Sequence, residues 1–418
     1  MRNGAWLIIG ILSMVPLGLE AAERQAPAPD AKAETDWPAM IAQLREQVDD
    51  LPTNQDTRHQ LAVAYNNYGV TLADGKNFSD AIRQLQEAAR LEPDDAQFQT
   101  NLALIHLRAA QAAYQNQRVA EAKTLVAEAI KIAPQQADAY ALLGEIEYHS
   151  QRLKEAKAAW DQAVKLNPGL DVVQDKLKRL NQELPVESEF EKVSQAYFDV
   201  RYTEMLKRSA GYDIRDALLR ARREVGSDFA LWPTRKLIVL VYSAEQFRQL
   251  RKDTPDWVAG QYDGKIRVPL PGPEFDEQAV VRTLFHEYTH ALINEIADNH
   301  CPTWLNEGLA EYEGWRDQTP PWTSLRKAVA TNALVPWDQL SERFSASLPA
   351  ADVALGYEEA HSVARYLVER YGFWRMRRIL KAVADGADLN ETLVKEFHVK
   401  LPRLQSLWRE WLNEQLSR

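Results

Sequence analysis

His286-Glu287-Tyr288-Thr289-His290 sets two imidazoles four residues apart with a carboxylate directly after the first. On a helix the two histidines stand one turn apart and point the same way. Two imidazoles at that spacing can hold one zinc ion, and Glu287 then lies beside the ion rather than on it. That is the place for a general base acting on water. The surrounding run from Glu277 to Ile296 is amphipathic, with Val280, Val281, Leu284, Tyr288, Ala291 and Leu292 as its candidate core face.

A third ligand is at hand in Pro302-Thr303-Trp304-Leu305-Asn306-Glu307-Gly308-Leu309-Ala310-Glu311-Tyr312. Thr303 after Pro302 reads as a helix start. Glu307 and Glu311 again lie one turn apart, and on spacing alone either could complete the site. The His-Glu-x-x-His helix followed by Trp-Leu-Asn-Glu-Gly resembles the gluzincin metallopeptidases, with sixteen residues between His290 and Glu307. The resemblance implies that Glu307 is the third zinc ligand and that Glu311 is a carboxylate orienting a ligand histidine.

The same resemblance reaches Tyr357-Glu358-Glu359-Ala360-His361-Ser362-Val363-Ala364-Arg365-Tyr366-Leu367, which is similar to the helix that supplies an oxyanion-stabilising tyrosine in aminopeptidase-type members. It implies that role for Tyr357. His361, one turn on, shares its face and could serve as an auxiliary donor. Lys265–Leu270, ahead of the zinc helix, would be the sheet-edge strand that pairs with substrate backbone. The aminopeptidase branch also carries a Gly-x-Met-Glu-Asn segment, which this chain lacks. An endopeptidase is therefore expected over an aminopeptidase. The resemblance spans about residues 190–382 and names no further substrate-binding residue.

These groups need elements to position them. Within 418 residues, 45% apolar and 26% charged, two or three domains can each build a core. From Trp37 to Leu184 the chain repeats itself. Ala81, Leu85, Ala88 and Pro93 recur at the same offsets as Ala122, Val126, Ala129 and Pro134, and as Ala156, Trp160, Ala163 and Pro168. Gly69 and Gly144 each stand twelve residues ahead of the first alanine. The pattern resembles tetratricopeptide repeats, in which small residues let paired helices approach and proline stops the second helix. The prolines are 41 and then 34 residues apart. The extra seven residues predict a first helix lengthened by about two turns, over roughly Gln97 to Tyr114.

Beyond Val186 the texture changes. Ser194–Tyr202 and Leu237–Tyr242 read as strands, Ile214–Val225 as a helix, and Gln261–Val268 as a hairpin with an Asp-Gly turn. The remainder reads as helical, with Trp408 and Trp411 in the core. The expected organisation is a signal peptide (1–22), a flexible linker (23–36), an all-α tetratricopeptide-like repeat domain (37–184) and an α+β zincin-like, gluzincin-type metallopeptidase domain (185–418).

Ala5–Leu19 is too short and broken for a membrane span and reads as the signal segment of a periplasmic or secreted protein; retained, it would act as an anchor. The balance of 50 Lys plus Arg against 60 Asp plus Glu, −10, argues against a nucleic-acid binder. Cys301 is the single cysteine and excludes an internal disulfide. His300, in the loop before Pro302, does not read as a ligand, and His59, His106, His149 and His398 read as surface or packing residues. The expected cofactor is Zn2+, and the expected partners are a peptide or protein substrate and a protein bound by the repeats. Two rival functions fit the same residues: an assembly factor with a vestigial or narrowly specific zinc domain, and an amide hydrolase of cell-wall peptides.

Overall fold

The computed structural model describes residues 35–204, 208–250, 261–262, 264–270, 277–318, 320–345 and 348–417. The expected signal segment lies outside them. Among the described residues, no helix is long and apolar enough to cross a membrane. The chain divides between Pro185 and Val186 into two compact units.

The first unit is all helix among the described residues: α1 (Trp37–Asp50), α2 (Gln55–Asp74), α3 (Phe78–Leu91), α4 (Ala96–Gln115), α5 (Val119–Ile132), α6 (Ala137–His149), α7 (Leu153–Leu166) and α8 (Asp171–Glu187), the last two residues of α8 falling past the division. Asn54, Asn77 and Asp95 cap α2, α3 and α4 through side-chain oxygens that accept backbone N–H bonds. Helix α4 has 20 residues against 13 in α6, the two added turns expected from the proline spacing, and α2 is as long as α4.

Helices pair as α2 with α3, α4 with α5 and α6 with α7. Every residue of the three small-large-small triplets is buried. The large member of each triplet lies on the small residue twelve positions ahead of the triplet. A Cβ on Gly69 would stand 2.7 Å from Leu85 Cγ, and one on Gly144 only 2.2 Å from Trp160 Cδ1. The middle repeat has Ala110 at that position and the smaller Val126 opposite it, both within one apolar cluster. Glycine thus accompanies leucine or tryptophan, and alanine accompanies valine. Trp160 also donates its indole N–H to Ala141 O at 3.2 Å.

The second unit opens on a five-stranded sheet in the order β1-β2-β3-β5-β4. The strands are β1 (Glu191–Ser194), β2 (Phe198–Tyr202), β3 (Leu237–Ser243), β4 (Gln261–Tyr262) and β5 (Ile266–Leu270). β2, β3 and β5 run parallel, while β1 and β4 are antiparallel to their neighbours. Two expectations are corrected here. Ser194–Tyr202 is not one strand: the chain reverses between Ser194 and Phe198, so β1 pairs back on β2. β5 is not the sheet edge along Ile266 and Arg267, because β4 pairs there. Asp263 of the expected turn lies outside the described residues.

The apolar run of β3 is buried on both faces. Val239 and Val241 join the main core, while Leu240 and Tyr242 pack with Phe247 on the other face. Helices α9 (Arg208–Phe229) and α11 (Glu277–Ala297) supply the main core's side, α10 (Ala244–Leu250) the other. The ring of Phe198 meets that of Tyr288 edge-to-face at 6.0 Å. The rest is helical: α12 (Thr303–Gly314), α13 (Thr323–Ala330), a short 3-10 turn (Leu340–Phe344), α14 (Ala350–Tyr371), α15 (Phe373–Ala384), α16 (Leu389–Phe397) and α17 (Leu401–Ser417). Trp408 of α17 is buried and donates to Ser362 Oγ of α14 at 3.2 Å, and Trp411 packs partly buried against the same core.

The repeat packing predicts that Gly144→Ala costs about 1–3 kcal/mol of stability in the wild-type background, as overpacking does. In the Trp160→Val background the same change should cost far less, as at the Ala110–Val126 pair. Chemical denaturation of the four proteins measures this coupling, and equal costs in both backgrounds would remove Trp160 as the obstacle.

Candidate metal centre

Helix α11 presents His286 and His290 on one face because Tyr288 and Thr289, between them, are committed to the core. Tyr288 is fully buried against the sheet, and Thr289 Oγ1 donates to Phe285 O at 2.8 Å. Helix α12 runs beside α11. It starts at Thr303, as expected, with Pro302 at the cap position, which offers no side-chain capping bond. The free Trp304 N–H donates instead to Ser341 Oγ at 3.3 Å.

The two helices bring His286, His290 and Glu307 together. The histidine Nε2 atoms are 3.0 Å apart, and Glu307 Oε2 lies 3.5 Å from each. Donors bound to a tetrahedral zinc at about 2.0–2.1 Å are separated from one another by about 3.3 Å. The outer ring nitrogens are also engaged. His286 Nδ1–H donates to Glu311 Oε1 at 3.0 Å, and His290 Nδ1–H donates to Asn306 Oδ1 at 2.9 Å. Neutral rings held in that tautomer turn two lone pairs toward each other and toward a carboxylate oxygen that has no hydrogen-bond donor. Three acceptors converging on one point call for a cation. Two imidazole nitrogens and one carboxylate oxygen are a set that suits zinc, so the residues present fit the ion. Of the two glutamates left open by spacing, Glu307 faces both Nε2 atoms and Glu311 backs His286.

Tyr357 comes from α14, which can approach because residue 308 is glycine. A Cβ there would stand 2.5 Å from Ala360 O. The Tyr357 ring centroid is 6.5 Å from that of His286, and Phe344 braces it edge-to-face at 5.0 Å.

Residues 273–414 match the model of the peptidase MA superfamily, and residues 69–109 and 107–171 match that of the tetratricopeptide repeat. The chain carries a peptidase MA superfamily domain behind tetratricopeptide repeats. No curated protein matches the chain. Solved structures similar to it include the first tetratricopeptide domain of Spaghetti (RPAP3) bound to an HSP90 peptide, at 19% identity and TM-score 0.24, over 30% of this chain and 94% of that one. MamA matches at 19% identity and TM-score 0.23, over 36% of this chain and 80% of its own. The first tetratricopeptide domain of human RPAP3 matches at 20% and 0.23, over 30% and 94%.

The electrostatics of the peptidase MA domain are those of a negative pocket. Burial alone would push the His286 and His290 imidazoles down, yet the carboxylates of Glu307 and Glu311 at His286, and of Glu307 at His290, hold both above the usual histidine range. Burial opposes ionisation of Glu307 and Glu311, yet the histidines keep both carboxyls below theirs. Glu287 is buried, and its charge acts on His286, His290 and Tyr357. Burial, then Glu307, Glu311 and Glu287, holds the Tyr357 phenol well above its ordinary value, so it stays protonated.

His361 is buried and set down to about 4 by that burial, and its Nδ1 accepts the Trp322 indole N–H at 3.4 Å. It is thus a neutral ring tied to Trp322. Cys301 is half-buried, its Sγ 3.7 Å from Pro302 O. Sequence reasoning missed Asn306 as an orienting group, although it stands directly before Glu307. It also missed Trp315, whose indole N–H donates to Glu311 Oε2 at 2.8 Å from one turn on. A cleft of about 390 Å³ among Phe229, Leu231, Ile296 and Trp374 shares no residue with the site.

Two acids beside Tyr357 fasten its helix. Glu358 Oε2 accepts the Leu325 N–H of α13 at 2.7 Å, and Glu359 accepts Val335 N–H at 3.1 Å beside Arg343. Burial raises the Glu359 carboxyl from 4.5 to about 7. Between those values the folded chain keeps a proton that the unfolded chain has lost, so this carboxyl makes stability fall as pH rises through the window. The stability difference between wild type and Glu359→Gln should therefore shift against wild type by up to about 3 kcal/mol from pH ~4.5 to ~7. Denaturation across pH measures it, and a flat difference would refute the assignment.

Proposed function

We propose that the peptidase MA domain is a zinc-dependent endopeptidase of the gluzincin type, with His286, His290 and Glu307 as ligands. The observation that carries this reading is the convergence of those three acceptor atoms, with both Nδ1 atoms tied back by Glu311 and Asn306. When bound, the ion supplies Lewis acidity toward water and the scissile carbonyl. Glu287, directly after a ligand on α11, takes the proton from the attacking water and returns it to the leaving amine. Tyr357 keeps its proton and donates its O–H to the developing oxyanion. Glu311 and Asn306 hold the imidazoles in the tautomer that leaves Nε2 free. The absent Gly-x-Met-Glu-Asn segment supports internal cleavage over removal of N-terminal residues.

The tetratricopeptide units support recruitment of a protein partner or substrate, since stacked repeats present an extended surface. The Ala5–Leu19 run supports a periplasmic or secreted location.

The test compares cuts in a complex peptide library, mapped by mass spectrometry, for wild type and Glu287→Gln. Internal cuts made only by wild type are expected. Glu287→Gln should keep its zinc and lose about 10²-fold or more in rate. His290→Ala should lose zinc and activity together. Tyr357→Phe should lower kcat by about 10²–10³ with little change in KM. Identical digests from two zinc-loaded proteins would favour an assembly factor, and cleavage confined to cell-wall peptides would favour the amide hydrolase.

A further inference from the structure

The contact between α11 and α12 continues beyond the three proposed ligands as a ladder of polar rungs. On α11, Gln278, Arg282, His286 and His290 follow one another at intervals of four residues. Opposite them, in reverse order, stand Gln318, Trp315, Glu311 and Asn306 with Glu307. Gln318 Nε2–H donates to Gln278 Oε1 at 3.2 Å, and Arg282 Nη1–H donates to Gln318 Oε1 at 3.0 Å. The Arg282 guanidinium lies over the Trp315 ring, 4.3 Å from its centroid. The Trp315 indole N–H donates to Glu311 Oε2 at 2.8 Å, and Glu311 Oε1 accepts His286 Nδ1–H at 3.0 Å. The path closes on itself, because Arg282 and His286 are one turn apart on the same helix.

We propose that Trp315 is a positioning residue for the metal centre, acting through Glu311 on His286. The proposal rests on the reading of His286 as a ligand. A glutamate on a helix can rotate about its last torsion and offer either oxygen to either neighbour. The indole N–H occupies Oε2 and leaves Oε1 for His286, which fixes the plane of the carboxylate and with it the imidazole. Arg282 holds the indole from its other face by a cation–π contact, so the donor cannot swing away from Glu311. The short bond matches a charge-assisted donor–carboxylate pair. The indole N–H is given to Glu311, so its effect on metal affinity runs through that carboxylate.

The test uses the full chain and zinc itself. Trp315→Phe keeps an aromatic ring to lie beneath Arg282 and removes the indole N–H together with the five-membered ring that carries it. By chelator competition its zinc Kd should rise about 10-fold or more, with the metal-free protein still folded and the visible spectrum of the cobalt-loaded protein altered. Arg282→Leu, which frees the indole without deleting it, should weaken binding in the same direction. In the Glu311→Ala background, Trp315→Phe should add nothing. Wild-type affinity in both Trp315→Phe and Arg282→Leu overturns the proposal. So does a loss that persists undiminished in the Glu311→Ala background. A wild-type chain that takes up no zinc sinks the metal reading itself, and this proposal with it.

Discussion

Two imidazole nitrogens 3.0 Å apart and a carboxylate oxygen 3.5 Å from each make a cluster of acceptors without a donor, and such a cluster is stable only around positive charge. Leaving buried acceptors unpaired costs about 1–3 kcal/mol each, more when one is ionised. Without a metal, a proton must serve, which is the physical content of the raised proton affinity of both histidines. Apolar burial keeps α11 and α12 in register whatever occupies the centre. Leu284, Leu292, Leu305 and Leu309 are all essentially inaccessible, and each contributes about 1.5–3 kcal/mol. The acceptor cluster is thus held together by packing on the far side of the same two helices.

From that register the rest of the site follows. Gly308 directly follows Glu307 and lets the backbone of α14 approach at Ala360. The proposed ligand and the residue that admits the tyrosine helix are therefore neighbours in sequence. Placement of Tyr357 is then secured by the two acids after it, one receiving the first turn of α13 and the other the Val335 N–H. None of these acids touches the three clustered acceptors, yet they decide where the phenol stands. Neutrality of the phenol needs no further device, since burial and three nearby carboxylates all oppose its ionisation.

What was legible in the sequence is what depends on local periodicity. The two histidines are one turn apart, and that geometry is independent of everything else in the fold. The repeat triplets are equally local, and the two-turn extension of α4 could be read from proline spacing alone. Contacts between helices were not legible. Spacing left Glu307 and Glu311 equivalent, because both lie on one face of α12. Only the offset between α11 and α12 puts Glu307 opposite both Nε2 atoms and Glu311 opposite His286 Nδ1. Asn306 escaped notice for the same reason: it acts across the helix pair, on His290. Trp315 stands one turn after Glu311, a spacing that the sequence does show, but that Glu311 in turn backs His286 depends on the same offset. The strand errors have a different origin. Alternation in Ser194–Tyr202 continues through a reversal because residues on both arms face the same core, so period alone cannot show where the chain turns back. β5 has the composition of an edge strand, and the two residues of β4 that cover part of it are too short a segment to carry a pattern.

The two units also distribute their stability differently. In the repeats, each large side chain answers to one small residue twelve positions before its triplet, so a change at Gly144 is felt at Trp160 and a compensating change can be made there. Such pairings lie within one repeat, and the repeats' own stabilities add along the array together with the terms between neighbours. In the peptidase MA domain no such partition exists. His286 is a helix residue whose tautomer is set by Glu311 on the next helix, whose own rotamer is set by Trp315, whose ring is held by Arg282 back on the first. A substitution anywhere in that circuit reaches the imidazole without altering a ligand. In the proposed centre, metal affinity would be a property of the α11–α12 register as a whole, and the identity of the three proposed ligands only its most visible part.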